Sequence, residues 1–356
     1  MPRQEVVASG RQAGSAPPRY TRAVILPGFE HRPGVHCGST ALADALRVRG
    51  LALSEPMVFG LGAGLGFYTF VAAELSPTHL FQGRSAHLER TACEVLGAPV
   101  RERVEEDAAC AWDGVRGALE RGLAPILSTD LAELPYFGSR TRFGGHRVVL
   151  AGYDAARRVA WLADGDRPAL EEVPLDALER ARASVAPPFG MPGHPWLEVD
   201  APARPRPIAE AVRDALRRQA REALIDVDGT AGVSALERFA AELPEWPARA
   251  ADEADRAWCF RYGYQVIERR GTGGGLFRAL YARFLAEAET AVPGLAALGL
   301  SRRMRTLAEA WARLGAAFRA VSEEPGGVVP PAVAELVRGI ARDERRYHED
   351  VAALVR

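Results

Sequence analysis

The amino-acid sequence predicts an α+β domain over residues 21–200, followed by an all-α helical domain over residues 201–356. Three observations support this division. Strand-like and helical patterns alternate in the first segment, seven prolines lie within residues 186–207, and the apolar patterns beyond have helical spacing. The proline-rich stretch is therefore the predicted linker. Residues 1–20 are polar and lack the apolar segment of a secretion signal, so we expect a disordered tail there.

Composition narrows the class of protein. The 45 basic residues are all Arg and nearly match the 46 acidic ones, which argues against a nucleic-acid partner because such a partner needs a basic face. No apolar run is long enough to span a bilayer, so no membrane partner is expected. The four cysteines lie far apart and form no C-x-x-C pair, which predicts no metal site and reduced thiols in a cytoplasmic protein. The sequence leaves open whether the protein forms a homo-oligomer.

The predicted elements follow the period of the apolar residues. In the first domain, strands are expected at 23–26, 125–127, 147–153 and 159–162, and helices at 37–49, 87–96 and 111–121. Six helical patterns fill the second domain. Residues 59–67 carry glycine at every second position but lack the strand–loop–helix context of a dinucleotide site, so we expect a tight backbone segment that lines a cleft.

Cys37 is the candidate nucleophile. It directly precedes the apolar pattern of the first predicted helix, and the positive end of a helix dipole favours the reactive thiolate. The alternative is a small buried thiol that begins a core helix.

His146 is the candidate general base. It opens the strand 147–153, and the chain returns along 159–162 to Asp164. With the turn centred between Ala155 and Ala156, His146 lies across from Gly165 and beside Asp164. A nucleophilic thiol needs such a base, and the base needs a third group that fixes its tautomer. A register slip of one residue would move these side chains to the opposite face of the sheet. The alternative role for His146 is a hydrogen-bonded histidine at a strand end.

Four segments also carry a resemblance to a known family. HCGSTAL from His36, LSEPMVFGLGAGLGF from Leu53, LPY ending at Tyr136 and GHRVVLAGYD from Gly145 resemble, in order, the N-terminal family of butirosin biosynthesis protein H over about residues 30–200. RGTGGGLFR at 270–278 is similar to the uncharacterised helical domain that often follows it.

The resemblance implies a papain-like cysteine fold, akin to the double-glycine peptidases, and the transfer of an acyl or aminoacyl group from an acyl carrier protein thioester to a small-molecule amine. Phosphopantetheine would enter only as part of that donor, without another cofactor. Papain-like enzymes use Asn as the third catalytic group. This chain has no Asn, so Asp164 would take that role, with Asp166 as the fallback. A cysteine peptidase or amidase has the same triad and is the alternative, and a catalytically inactive binding module is a third possibility.

Further residues are predicted to contact substrate. Papain-like enzymes place a Gln about six residues before the cysteine as an oxyanion donor, and here that position is His31. Either His31 or His36 could donate instead, as could the backbone N–H of Cys37. Glu55 would contact an amine or form an internal ion pair, and Tyr136 belongs to the same substrate-binding set.

A glycine-rich loop is the last candidate. Gly271, Thr272, Gly273 and Gly274 lie between two predicted helices, with Arg269, Arg270 and Arg278 around them. Bare N–H groups before a helix can bind an anion, and a phosphopantetheine phosphate would suit them. The alternative is a flexible turn that packs close to the first domain.

Overall fold

The described residues form an α+β structure, and the strands among them all lie in the N-terminal part of the chain. The computed structural model describes residues 23–186, 190–226 and 229–354, so the predicted disordered tail lies outside the described residues. Seven strands form one antiparallel sheet: β1 (Ala23–Ile25), β4 (Val100–Arg103), β5 (Ile126–Thr129), β6 (His146–Asp154), β7 (Val159–Ala163), β8 (Glu171–Pro174) and β9 (Trp196–Val199). Strands β2 (Leu65–Val71) and β3 (His79–Arg84) form a separate hairpin.

The large sheet has the order β4-β9-β5-β6-β7-β8, and β1 pairs with the far end of β6. Five helices accompany these strands: α1 (Cys37–Val48), α2 (Glu55–Leu61), α3 (Leu88–Leu96), α4 (Ala108–Glu120) and α5 (Leu175–Ala183). Helix α1 packs on β6, the strand that begins at His146. The predicted helices of this part are confirmed, although α4 begins three residues early because the Asp107 carboxylate accepts a hydrogen bond from the Cys110 N–H (2.8 Å).

The predicted linker contains a strand of the sheet. Strand β9 lies between β4 and β5, and its Trp196 and Val199 are buried. The prediction of a linker over 186–207 was therefore wrong for the residues of β9. Four prolines precede the strand and three follow it, so the high proline content hid a short buried strand.

The glycine-dense segment 59–67 was predicted to be a tight backbone segment that lines a cleft. The structure shows a different arrangement. Its first three residues end α2, and its last three begin β2. Ser54 starts α2 by accepting a hydrogen bond from Met57 N–H (3.1 Å). Glycine is required here for close packing: a Cβ on Gly60 would lie 2.0 Å from the ring of Phe284.

The C-terminal part is helical, as predicted. Its helices are α6 (Ile208–Leu224), α7 (Gly232–Glu242), α8 (Trp246–Arg249), α9 (Glu253–Glu268), α10 (Arg278–Ala291), α11 (Leu300–Glu323) and α12 (Pro331–Leu354). None of the described helices is long and apolar enough to cross a membrane.

Two apolar cores cross the predicted domain boundary. The first joins the sheet and α1–α4 to α6, α10 and the start of α11. The second joins the β2–β3 hairpin, through Phe67 and Phe81, to α7, α9, α11 and α12. The two parts of the chain therefore share their interiors, and the hairpin and the loop after α9 reach the same cavity.

Candidate active site

The backbone that presents Cys37 is held by one carboxylate. The N–H groups of Val35 (3.0 Å) and His36 (2.7 Å) both donate to Glu55 at the start of α2, as does the Thr40 hydroxyl (3.3 Å). The His36 imidazole caps α1 by accepting from the Ser39 N–H (3.2 Å). Cys37 is thereby fixed as the first residue of α1, where it is partly exposed.

His146 meets Cys37 across the space between α1 and β6. The Cys37 thiol and the His146 imidazole interact closely enough for each to shift the pKa of the other. On the far side, His146 Nε2 lies 2.7 Å from Asp164 Oδ1. The second oxygen of Asp164 accepts a hydrogen bond from the Tyr136 hydroxyl (2.5 Å). The structure thus brings the three predicted residues into one chain of contacts, with Tyr136 behind them.

A bulge in β6 decides which face Asp164 occupies. The pairing of β6 with β7 shifts by one residue between Leu150 and Gly152, so that Ala163 pairs with Val149 and Asp164 lies level with Val148. Val148 and His146 are two residues apart and share a face. The register predicted from the turn was wrong by one residue, because it would have put Asp164 level with Arg147 on the opposite face.

The electrostatics of the pair favour a thiolate and an imidazolium. Burial alone would raise the pKa of Cys37, but the hydrogen bond and charge of His146, with the charge of Arg84, lower that pKa below its ordinary value of 9.0. Burial alone would also lower the pKa of His146, yet its hydrogen bonds to Asp164 and Cys37 raise the pKa to about 10. Such a thiolate can attack an electrophilic carbonyl.

Cys37, His146 and Asp164 open into a cavity of about 490 Å³. One wall comes from the helical part of the chain, through α9, the loop after it and Phe277. Phe277 stacks on Phe59, with ring centroids 5.7 Å apart, and meets the His36 ring edge-on at 5.4 Å. The loop therefore lies on the same cavity as the thiol, and the helical part completes the site.

Charged groups on this cavity wall are mainly positive. Beyond the imidazoles and Asp164, the wall carries Arg84, Arg269 and Arg270 against one further carboxylate, Asp166. Arg270 lies over the Tyr262 ring at 4.7 Å and donates to Gln265 Oε1 (2.8 Å). A substrate group with negative charge suits this wall better than a cation does.

Three of the residues predicted to bind substrate instead contact other groups of the protein. His31 pairs with Asp44 (2.5 Å) and lies off the described cavity wall. Glu55 holds the chain before Cys37 through hydrogen bonds from backbone N–H groups, rather than through the internal ion pair that was its alternative. Tyr136 also lies off this wall, because its hydroxyl is directed at Asp164 and its ring is covered by the Arg167 guanidinium at 4.6 Å.

The glycine-rich loop touches the cavity, and part of its backbone is bonded within the loop. Gly271 and Thr272 line the wall, whereas Gly273 and Gly274 do not. The N–H groups of Gly274 (3.2 Å) and Gly275 (3.0 Å) donate to Thr272 and Glu268 within the loop. The four glycines are needed because each has φ between +55° and +92°.

Arg278 does not contribute its charge to the glycine-rich loop. Its side chain is buried and donates to Glu344 on α12 (2.7 and 2.9 Å). Among the predicted basic neighbours, only Arg269 and Arg270 reach the cavity wall.

Sequence reasoning missed the contribution of β3. Gln82 and Arg84 alternate with Phe81 and Gly83, a period-2 pattern that indicates a strand with one polar face. That pattern could have identified the strand. It could not have shown that the polar face meets Cys37, because this depends on how the hairpin packs against the helical part.

Comparisons with known proteins identify two family models along the chain. Residues 36–165 match the family model described as butirosin biosynthesis protein H, N-terminal, and residues 176–351 match a domain of unknown function, DUF4872. No curated protein matches the sequence. The first match contains Cys37, His146 and Asp164, and the second contains the wall formed by α9 and its loop. The chain therefore carries the N-terminal domain of the butirosin biosynthesis protein H family, followed by a DUF4872 domain.

Proposed function

We propose that this protein is a cysteine-dependent acyltransferase of specialised metabolite biosynthesis. It would move an acyl or aminoacyl group from a carrier-protein thioester to an amine, with Cys37 as the covalent carrier. The observation that carries the proposal is the Cys37–His146–Asp164 chain on a cavity large enough for an acyl group. A cysteine that begins a helix packed on an antiparallel sheet, opposite a strand-borne histidine, also supports a papain-like fold.

The reaction would proceed in two half-reactions. The Cys37 thiolate attacks the thioester carbonyl, and the leaving thiolate takes the proton from His146. The neutral imidazole then accepts a proton from the incoming amine as the amine attacks the Cys37 acyl-enzyme and releases the amide. Asp164 keeps the imidazole in the tautomer that both steps need.

The charges on the cavity wall support an anionic donor. Arg269 and Arg270 are exposed at its edge, where the phosphate of a pantetheine arm or an acidic surface of a carrier protein would approach. Because the N–H groups of Gly274 and Gly275 are already bonded within the loop, these guanidinium groups would be the better contact for the phosphate.

Hydrolysis by the same triad is the second candidate, because Cys37 is partly exposed and water can reach it. The test incubates the protein with acyl-pantetheine and acyl-carrier thioesters, with and without a panel of amines, and identifies the products by mass. Transfer predicts an amide that forms faster than free acid and is lost in Cys37→Ala. Free acid alone, at a rate that amines do not change, would make the protein a hydrolase.

A further inference from the structure

The proposed reaction needs a second donor for the oxyanion. When a thiolate adds to a carbonyl, the oxygen becomes negative and is commonly held by two N–H groups. The backbone N–H of Cys37 can supply one, because first-turn amides have no partner within the helix. His31, at the position where a Gln was expected, is engaged with Asp44. The second donor must therefore come from elsewhere on the wall.

Several side-chain donors on the described wall are engaged or out of reach. Gln82 donates to the Tyr262 hydroxyl (2.9 Å), and Arg270 donates to Gln265. His36 Nε2 has almost no exposed surface, so an entering carbonyl oxygen cannot contact it. Arg269 is exposed at the edge of the cavity.

Arg84 differs from these side chains. It ends β3, lines the cavity and is partly exposed. One terminal nitrogen donates to the Ser85 carbonyl (3.2 Å), while within the described ranges its other donors have no partner and no carboxylate lies within ion-pair distance. Burial alone would raise the pKa of Cys37, and after His146 the charge of Arg84 is the next influence that lowers that pKa. Arg84 and Cys37 line the same cavity, so the guanidinium charge faces the space that a carbonyl at the sulfur would enter.

We propose that Arg84 is the second oxyanion donor, an inference that rests on the proposed acyl-enzyme. As the sulfur–carbon bond forms, the carbonyl π pair moves onto the oxygen, which accepts hydrogen bonds from the Arg84 guanidinium and the Cys37 N–H. Re-formation of the carbonyl expels the leaving group, which takes the His146 proton. The hairpin of the first part of the chain, held in place by the helical part, thereby supplies a catalytic group.

Two probes separate this role from a general effect on the thiolate. Acylation by p-nitrophenyl acetate passes through an oxyanion, whereas alkylation by iodoacetamide does not. Both are measured at Cys37 in a Cys110→Ala background, because Cys110 is also exposed, and at a pH where Cys37 is fully ionised. In Arg84→Met, acylation should fall on the order of 100-fold while alkylation stays within about threefold.

Arg218→Met is the matched control, since Arg218 is exposed and pairs with Glu94 away from the cavity. Arg84→Gln keeps an N–H donor and should recover part of the rate; it also serves if Arg84→Met does not fold, as judged by its melting curve. Equal loss of both reactions, or no loss of acylation, would overturn the role of Arg84 and leave the acyltransferase proposal standing. A wild-type protein that is alkylated but never acylated would overturn both.

Discussion

At the scale of single residues, the candidate site is a relay of contacts that runs from Tyr136 through Asp164 and His146 to Cys37. The sequence predicted the last three because a helix-start cysteine and a hairpin bearing His and Asp are local features. It could not predict that Tyr136 orients Asp164, since this contact spans 28 positions along the chain. Arg84 was missed for the same reason.

The relay predicts how the reactivity of Cys37 depends on pH. The lowered pKa of Cys37 means that alkylation should reach half its maximal rate below pH 9 and be lost as the pH falls through that lowered pKa. Asp164→Asn removes the carboxylate that helps to raise the pKa of His146, so the imidazolium becomes a weaker partner for the thiolate. The midpoint should therefore move upward, toward pH 9.

Asp166→Asn is the control for this measurement, because Asp166 lines the cavity but shares no described hydrogen bond with His146. It should move the midpoint less than Asp164→Asn does. The reverse order would reassign the third position of the triad to Asp166.

At the scale of elements, the start of α1 depends on α2. Glu55 accepts the N–H groups of Val35 and His36, so Glu55→Ala leaves two donors without their acceptor. Such a loss costs about 1–3 kcal/mol for a buried group, which applies to His36, whereas water can replace the acceptor of the exposed Val35 N–H. We expect Glu55→Ala to lower the free energy of unfolding by about 1–3 kcal/mol and to slow acylation of Cys37, measured by urea unfolding and intact mass. Glu55→Gln keeps one acceptor oxygen, so its stability and acylation rate should lie between those of the wild type and Glu55→Ala. Wild-type values for Glu55→Ala would contradict a positioning role.

Local pattern explains which elements the sequence predicted. Helix α1 and the strands β6 and β7 have clear apolar periods, and these predictions were confirmed. The register of β6 and β7 was not predictable from the turn, because the bulge at Ala151 adds a residue to β6 that the apolar pattern does not reveal. Strand β9 has four residues among prolines, and its burial between β4 and β5 is a tertiary effect.

At the scale of the whole molecule, the shared cores predict that the first part of the chain does not fold alone. Gly60 on α2 packs directly against Phe284 on α10, and the β2–β3 hairpin is buried against α7 and α11. A chain cut after residue 200 would expose both surfaces. We expect it to lose cooperative thermal unfolding and selective alkylation of Cys37, measured by circular dichroism and peptide mapping. A sharp transition with wild-type Cys37 reactivity would show that the two parts are independent.

The most direct test of the central claim is to trap the acyl-enzyme. The protein is mixed with an acyl-pantetheine thioester without amine, quenched in acid after short times, and analysed by intact mass and peptide mapping. The claim predicts one added acyl group on the peptide that contains Cys37, absent in Cys37→Ala, slowed in His146→Ala and unchanged in Cys93→Ala, whose buried thiol has its pKa raised to about 12. Acyl groups found only on the exposed Cys110, or transfer to amine that persists in Cys37→Ala, would contradict it.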